Sequence, residues 1–275
     1  MSVLQSSFPN NFIGTIDSGS QFRLSDLSQT PFKTSSPIDL GIATITAFTA
    51  LSSTSFVIGD AEGGIYRFDK TATSWDLTDR FGNHRAPVTA LQTLQNGHLV
   101  SGAKDGTIYL WDTDRAICFS MIDDEYHEES VLAFHQASDG RLLVLTPHTV
   151  TTWDVAENSL QELMGYSFLA TATCFTVLTD DRIAVGTRDG SIQILEEDRF
   201  EWTPLEAHSH PVKAVYALSR EDIVSVGEDG TILVWDCKTN EIVDMLEEEA
   251  EESVLVANDR LAYWQDGRLM DWNFI

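Results

Sequence analysis

The chain has 275 residues, 43% of them apolar, and 43 acidic against 17 basic side chains, a formal charge of -26. That balance disfavours nucleic acid and anionic membrane as direct partners, whose phosphates would be repelled, and makes basic proteins the natural counterparts. No helical period stands out, no apolar run would span a bilayer and no leader pattern opens the chain, so a soluble protein is expected.

In chain order, one local phrase recurs seven times: a short β-branched strand, an acidic residue with a glycine, and a second strand that often closes on Trp-Asp. The copies are IDSGSQFRLS, DAEGGIYRFD, AKDGTIYLWD (103 to 112), TPHTVTTWD, TRDGSIQILE, GEDGTILVWD (227 to 236) and WQDGRLMDWN. Their turn residues are Gly19, Gly63, Gly106, His148, Gly190, Gly230 and Gly267, in steps of 44, 43, 42, 42, 40 and 37. A period near forty means stacked supersecondary units, none of which buries its apolar face alone. A second register agrees. From the first inward strand residue to the turn glycine the count is 18 for Met1, Ile45, Val88, Ala172 and Val212, and one fewer from Val131 to His148. Val88, Leu91, Leu99 and Val100 follow the alternation or runs of half-buried and buried strands.

On these residues the chain resembles the WD-repeat β-propeller family over essentially its whole length. The resemblance implies one all-β domain over residues 1–275, a seven-bladed propeller, of which the last blade alone reads as three-stranded from its own residues. Its blades are expected at 1–43, 44–86, 87–127, 128–168, 169–209, 210–251 and 252–275. Each blade would be a four-stranded antiparallel sheet set radially.

The resemblance also implies a hydrogen-bond chain of His, Ser or Thr, Asp and Trp within a blade. The third repeat carries it as His84, Ser101, Asp105 and Trp111, and the sixth as His208, Ser225, Asp229 and Trp235. The other repeats depart from it. The fourth keeps His127 and Trp153 but has Val144 and Pro147; the fifth keeps Asp189 beside Phe168 and Leu195; the second has Glu62 and Phe68; the first has Ser18 and Leu24. Packing must replace the polar chain there. A catalytic triad is the competing reading of His, Ser and Asp, but the set occurs twice, its Ser lies mid-strand, and its Trp is expected to engage the Asp, so a structural role is preferred. His208 and His210 lack a third ligand, no glycine-rich phosphate loop occurs, and no metal or cofactor is expected.

Two acidic runs stand between blades. DDEYHEE supplies Asp123, Asp124, Glu125, Glu128 and Glu129, and EEEAEE supplies Glu247, Glu248, Glu249, Glu251 and Glu252. Both link an outer strand to the next blade's first strand, so in a propeller they emerge on the face of the Asp-Gly turns. Like charges within about 8–10 Å reinforce one another, which suits a basic partner segment, while the plainer role is solubility. Lys104 and Arg188 on the same face would divide the field into two lobes.

The last repeat reads as strands at 254–257, 260–264 and 268–273. Its outer edge, with Leu269, Met270 and Trp272, is either open to a donated strand or covered by a loop such as residues 25–37. Thr30 and Ser36, each before a proline, are candidate phosphorylation sites. Cys118, Cys174 and Cys237 lack C-x-x-C spacing, which argues for an intracellular compartment, and Cys118 and Cys174 read as core strand residues. With no basic localisation run, cytoplasm is expected over nucleus. The resulting expectation is a non-enzymatic interaction scaffold; a subunit completed by a partner's strand and a propeller enzyme are the alternatives.

Overall fold

The computed structural model describes residues 4–8, 12–17, 20–26, 33–122, 129–156, 159–196, 201–218, 222–246, 252–257, 260–265 and 268–273. Met1, Ser18, Gly19, Thr30, His127 and Gly267, all singled out above, lie outside them.

The first sheet holds β1 (Leu4–Phe8), β2 (Phe12–Ile16) and β3 (Gln21–Asp26), with two short pieces, β4 (Lys33–Thr34) and β5 (Ile38–Asp39), both bonded to β3. The second holds β6 (Ile45–Ser52), β7 (Ser55–Asp60), β8 (Gly64–Lys70) and β9 (Trp75–Asn83). The third holds β10 (Val88–Thr93), β11 (Leu99–Ala103), β12 (Ile108–Asp112) and β13 (Ile117–Ile122). The fourth holds β14 (Ala133–Gln136), β15 (Leu142–Leu145), β16 (Thr149–Ala156) and β17 (Ser159–Ser167). The fifth holds β18 (Ala172–Val177), β19 (Ile183–Thr187), β20 (Ser191–Glu196) and β21 (Glu201–Glu206). The sixth holds β22 (Val212–Ala217), β23 (Asp222–Gly227), β24 (Ile232–Asp236) and β25 (Glu241–Leu246). The last holds β26 (Glu252–Ala257), β27 (Arg260–Gln265) and β28 (Arg268–Asn273), three strands among the described residues. Apart from β5, which pairs back to β3, the strands of each sheet run in chain order, and the paired strands whose registers are resolved are antiparallel.

Burial grades outward within a sheet. β11 and β19 are buried at every residue, which is why LVSGA and IAVGT read as runs, whereas β25 is exposed along nearly its whole length. Contacts divide the chain into two compact units, residues 1–144 with 152–163, and residues 145–151 with 164–275.

In the first unit a repeated device joins neighbouring sheets. Thr46 Oγ1 donates to the Val88 carbonyl, and Thr89 Oγ1 to the Val131 carbonyl. Beside each threonine a valine of the next sheet lies against a glycine: a Cβ on Gly59 would stand 2.5 Å from Val88 Cγ1, and Gly102 faces Val131 in the same way. Only glycine admits so close an approach. The second unit repeats the set with Thr173, which bonds the Val212 carbonyl at 2.6 Å, and with Gly186 against Val212. The strand-start valines drew notice in the sequence; their threonine and glycine partners did not.

Candidate functional site

The polar chain of the third sheet has five members. Trp111 Nε1 donates to Ser101 Oγ at 2.8 Å, and Ser101 Oγ lies 2.7 Å from His84 Nε2. His84 Nδ1 lies 2.7 Å from Thr107 Oγ1, which donates to Asp105 Oδ1 at 2.8 Å. Because the Thr107 hydroxyl spends its proton on Asp105, it accepts from His84 Nδ1–H. His84 Nε2 then accepts from the Ser101 hydroxyl, so the ring is the neutral Nδ1–H tautomer. The sixth sheet repeats the order: Trp235 to Ser225 at 2.9 Å, Ser225 to His208 at 2.8 Å, His208 to Thr231 at 2.8 Å, and Thr231 to Asp229 at 2.6 Å.

Two features correct the sequence reading. Tryptophan engages the serine and not the aspartate, and a threonine stands between histidine and aspartate. The Asp-Gly-Thr spelling common to both copies was the available signal for Thr107 and Thr231.

Burial pushes the His84 imidazole down to about 4, against an opposing pull from the Asp105 charge, and lowers His208 in the same way. Desolvation alone would raise the Asp229 carboxyl, but hydrogen bonds from the Thr231 side chain and backbone carry it below the usual range. Ser101 is fully buried and both ring nitrogens of His84 are occupied. A nucleophile needs access to substrate and a base needs a free nitrogen. The geometry is that of a structural clasp.

The drifted sheets fill these positions otherwise. In the second, Ile58 stands at the serine position and Phe68 at the tryptophan position, both buried. Its buried carboxylate is Asp60, which accepts from the backbone N–H of Glu62 at 3.0 Å and of Gly64 at 2.7 Å, while Glu62, the residue aligned on sequence, is exposed. In the fifth, Thr187 donates to Asp189 at 2.5 Å and holds its carboxyl low, Leu195 is buried, and Phe168 meets Trp202 edge-on at 5.2 Å.

Cys118 was expected in the core and is instead exposed on β13, its thiol donating to the Ser120 carbonyl at 3.2 Å. Outer-strand alternation mimics that of an inner strand when only sequence is read. Cys174, partly buried, and Cys237, buried, have thiols pushed by desolvation up to about 11 and about 12, so neither is a ready nucleophile.

Exposed side chains stand on outer strands and on turns. Among the described residues, Glu62, Lys104 and Asp105 are exposed on turns of the first unit, and Arg188, Asp189 and Leu169 on those of the second. Gly63 takes φ of 89°, and a Cβ there would stand 2.3 Å from the His84 carbonyl oxygen. Glycine is therefore required to seat that turn against the next entry loop. His210 Nδ1 lies 3.4 Å from Asp229 Oδ2, with Ser209 Oγ between them at 3.0 and 3.2 Å. No group of side chains suited to hold a metal occurs among the described residues.

Of the acidic candidates, Glu129 is described and partly buried, and Glu252 opens the backbone of β26. Asp123, Asp124, Glu125, Glu128, Glu247, Glu248, Glu249 and Glu251 lie outside the described residues. Leu269, Met270 and Trp272 lie in β28, which pairs with β27.

Four-stranded sheets repeated along the chain, two of them clasped by a Trp-Ser-His chain and turned on Asp-Gly, give a fold of the β-propeller class with WD-type repeats, and the chain is similar to WD-repeat proteins. The family model described as "WD domain, G-beta repeat" matches residues 74–112 and 200–236, the segments that end on Trp-Asp of the third and sixth sheets. Similar proteins include a p21-activated protein kinase-interacting protein 1-like from Gallus gallus, 24% identical over 66% of this chain and 61% of that protein. Ribosome biogenesis protein YTM1 is 25% identical in Vanderwaltozyma polyspora, over 64% of this chain and 43% of that protein. In Saccharomyces cerevisiae it is 26% identical, over 69% and 47%. The chain thus spans about half the length of these relatives. A crystal structure of the computationally designed Ika8 protein superposes with a TM-score of 0.71 at 18% identity, covering 99% of this chain and 96% of that one, a likeness of fold.

Proposed function

We propose that the protein is a non-enzymatic scaffold, one intracellular domain that binds a basic segment of a partner protein within a larger assembly, through the face bearing its Asp-Gly turns. The observation that carries this reading is the internal use of the chemically capable side chains: His84, Ser101, His208 and Ser225 are all spent on holding sheets together. What remains for other molecules is surface, and that surface belongs to a chain of net charge -26. Relatives named for kinase interaction and for ribosome biogenesis support an assembly role. They lend no support to cytoplasm over nucleus.

The test is direct. Changing Glu247, Glu248, Glu249, Glu251 and Glu252 to Gln should leave the melting temperature nearly unchanged, since single surface charges are worth about 0.5 kcal/mol or less, yet weaken salt-sensitive capture of a basic partner from native extract. Equal recovery from parent and variant at low and high salt would leave solubility as the role of these acids.

A second reading is favoured by the last sheet. It has three strands among the described residues, with β28 outermost, and β4, the strand within the loop offered as its cover, is bonded to β3 instead. A partner's strand added to β28 would complete it.

A further inference from the structure

β25 is the outermost strand of the sixth sheet, and its pairing partner is β24. From Glu241 to Met245 every residue is exposed, including three large apolar ones: Ile242 at 49%, Val243 at 57% and Met245 at 49%. Natural edges are guarded by lysine, proline or a covering element, because unpaired N–H and C=O groups are a template for another strand.

The outer strands here are guarded unequally. β21 carries Pro204 between Glu201 and Glu206, and β9 carries Asp76, Asp79 and Arg80. β13 exposes Ile117 at 47% and Met121 at 55% and has no charge at all. β25 has neither lysine nor proline; its charges are two carboxylates, Glu241 and Asp244. Such an edge rejects an acidic strand and a second copy of this chain, which would bring like charges against like. It attracts a basic strand.

One bond sharpens the point. The backbone N–H of Met245 donates to the Asp244 carboxylate at 2.9 Å, so a neighbouring side chain caps an edge donor. A carbonyl from an incoming strand would take that N–H, and the displaced carboxylate would need a cation in return.

We propose that β25 is a docking edge for an extended segment of a partner protein, with apolar residues interleaved with Lys or Arg, added antiparallel as a further strand of the sixth sheet. Ile242, Val243 and Met245 supply the apolar contact, and Glu241 and Asp244 select the charge. This rests on the basic-partner reading and gives that partner a place outside the acidic runs.

The probe is a synthetic peptide alternating Lys with Val, with a matched peptide carrying Glu for Lys. Binding is followed by fluorescence anisotropy, and its place by hydrogen exchange with mass spectrometry. The Lys peptide should protect the amides of 241–246. Its affinity should fall with salt and drop about fivefold in the Glu241→Gln, Asp244→Asn double variant, in which the amide oxygen still caps Met245 and folding is unaffected. Equal protection by the Glu peptide would overturn the inference, as would protection of 241–246 that rises with protein concentration alone. Binding of the Lys peptide with protection elsewhere, including 117–122, would overturn β25 as the edge and leave the basic-partner reading standing. No binding at all would count against both.

Discussion

The third sheet and the second are built on the same backbone plan and closed by opposite chemistry. In the third, Ser101 and Trp111 join His84, Thr107 and Asp105 in one directional run of hydrogen bonds. In the second, Ile58 and Phe68 occupy the corresponding places, and Phe56 stacks on Phe68 at 5.3 Å and on Phe22 at 4.6 Å, with Trp75 at 5.0 Å. The buried members Trp111, Ser101, His84 and Thr107 are satisfied together or not at all, so one missing group strands its neighbours without water, while Asp105 closes the run at the surface. Aromatic packing contributes through area and ring geometry, about 0.5–1.5 kcal/mol per pair beyond burial, and tolerates exchange. The polar sheet is therefore conspicuous in sequence and brittle, the aromatic one inconspicuous and forgiving.

The largest effects probe whether the two closures are equivalent. Trp111→Ala and Phe56→Ala should each cost about 3–5 kcal/mol in denaturant unfolding, since both delete a large buried ring. A Phe56→Ala loss well under that range would mean that the aromatic group is not the counterpart of the polar chain.

Acid should separate them next. The folded-state value of His84 lies near 4, below its ordinary 6.5, so the unfolded chain binds the extra proton between those limits and stability falls as pH drops through that window. A shift of that size corresponds to about 3 kcal/mol lost by pH 4, with no contribution above about pH 6.5. His208, lowered in the same direction, adds to it, whereas the Asp189 and Asp229 carboxyls lose their contribution only at lower pH. Urea melts of the parent and of His84→Gln between pH 7 and pH 4 should converge as the pH falls; parallel curves would contradict a buried neutral ring.

The smallest contrast lies within the second sheet. Asp60→Ala should cost about 1–3 kcal/mol, because it strands two backbone N–H groups, while Glu62→Ala should stay within about 0.5 kcal/mol. Equal melting temperatures for the two variants would show that the Asp60 bonds do not stabilise the turn.

The repeat, its turns and the His, Ser, Asp and Trp members of its two polar sets were legible because glycine and the Asp-Gly-Thr and Trp-Asp spellings leave a local signature. Thr107 and Thr231 were within that spelling and were passed over because the family pattern names four members. Asp60 was missed for another reason: alignment on the turn glycine selects Glu62, and two residues of offset decide which carboxylate turns inward. Cys118 was misplaced because strand periodicity gives the alternation of faces but not whether a sheet is an inner or an outer neighbour.

By itself the sequence determined the all-β class, the forty-residue period, the order of strands and the chemistry of the third and sixth sheets, all of which depend on neighbours along the chain. The tertiary structure decided what depends on groups about forty residues apart. It set Thr46 on the Val88 carbonyl and Val131 against Gly102, and it left β25 exposed and carboxylate-lined while β19, of similar apolar composition, is buried throughout. The reason is physical. A strand's residues fix which faces alternate, but whether another sheet covers those faces depends on packing that pairs residues from adjacent repeats, and no local pattern encodes that distance.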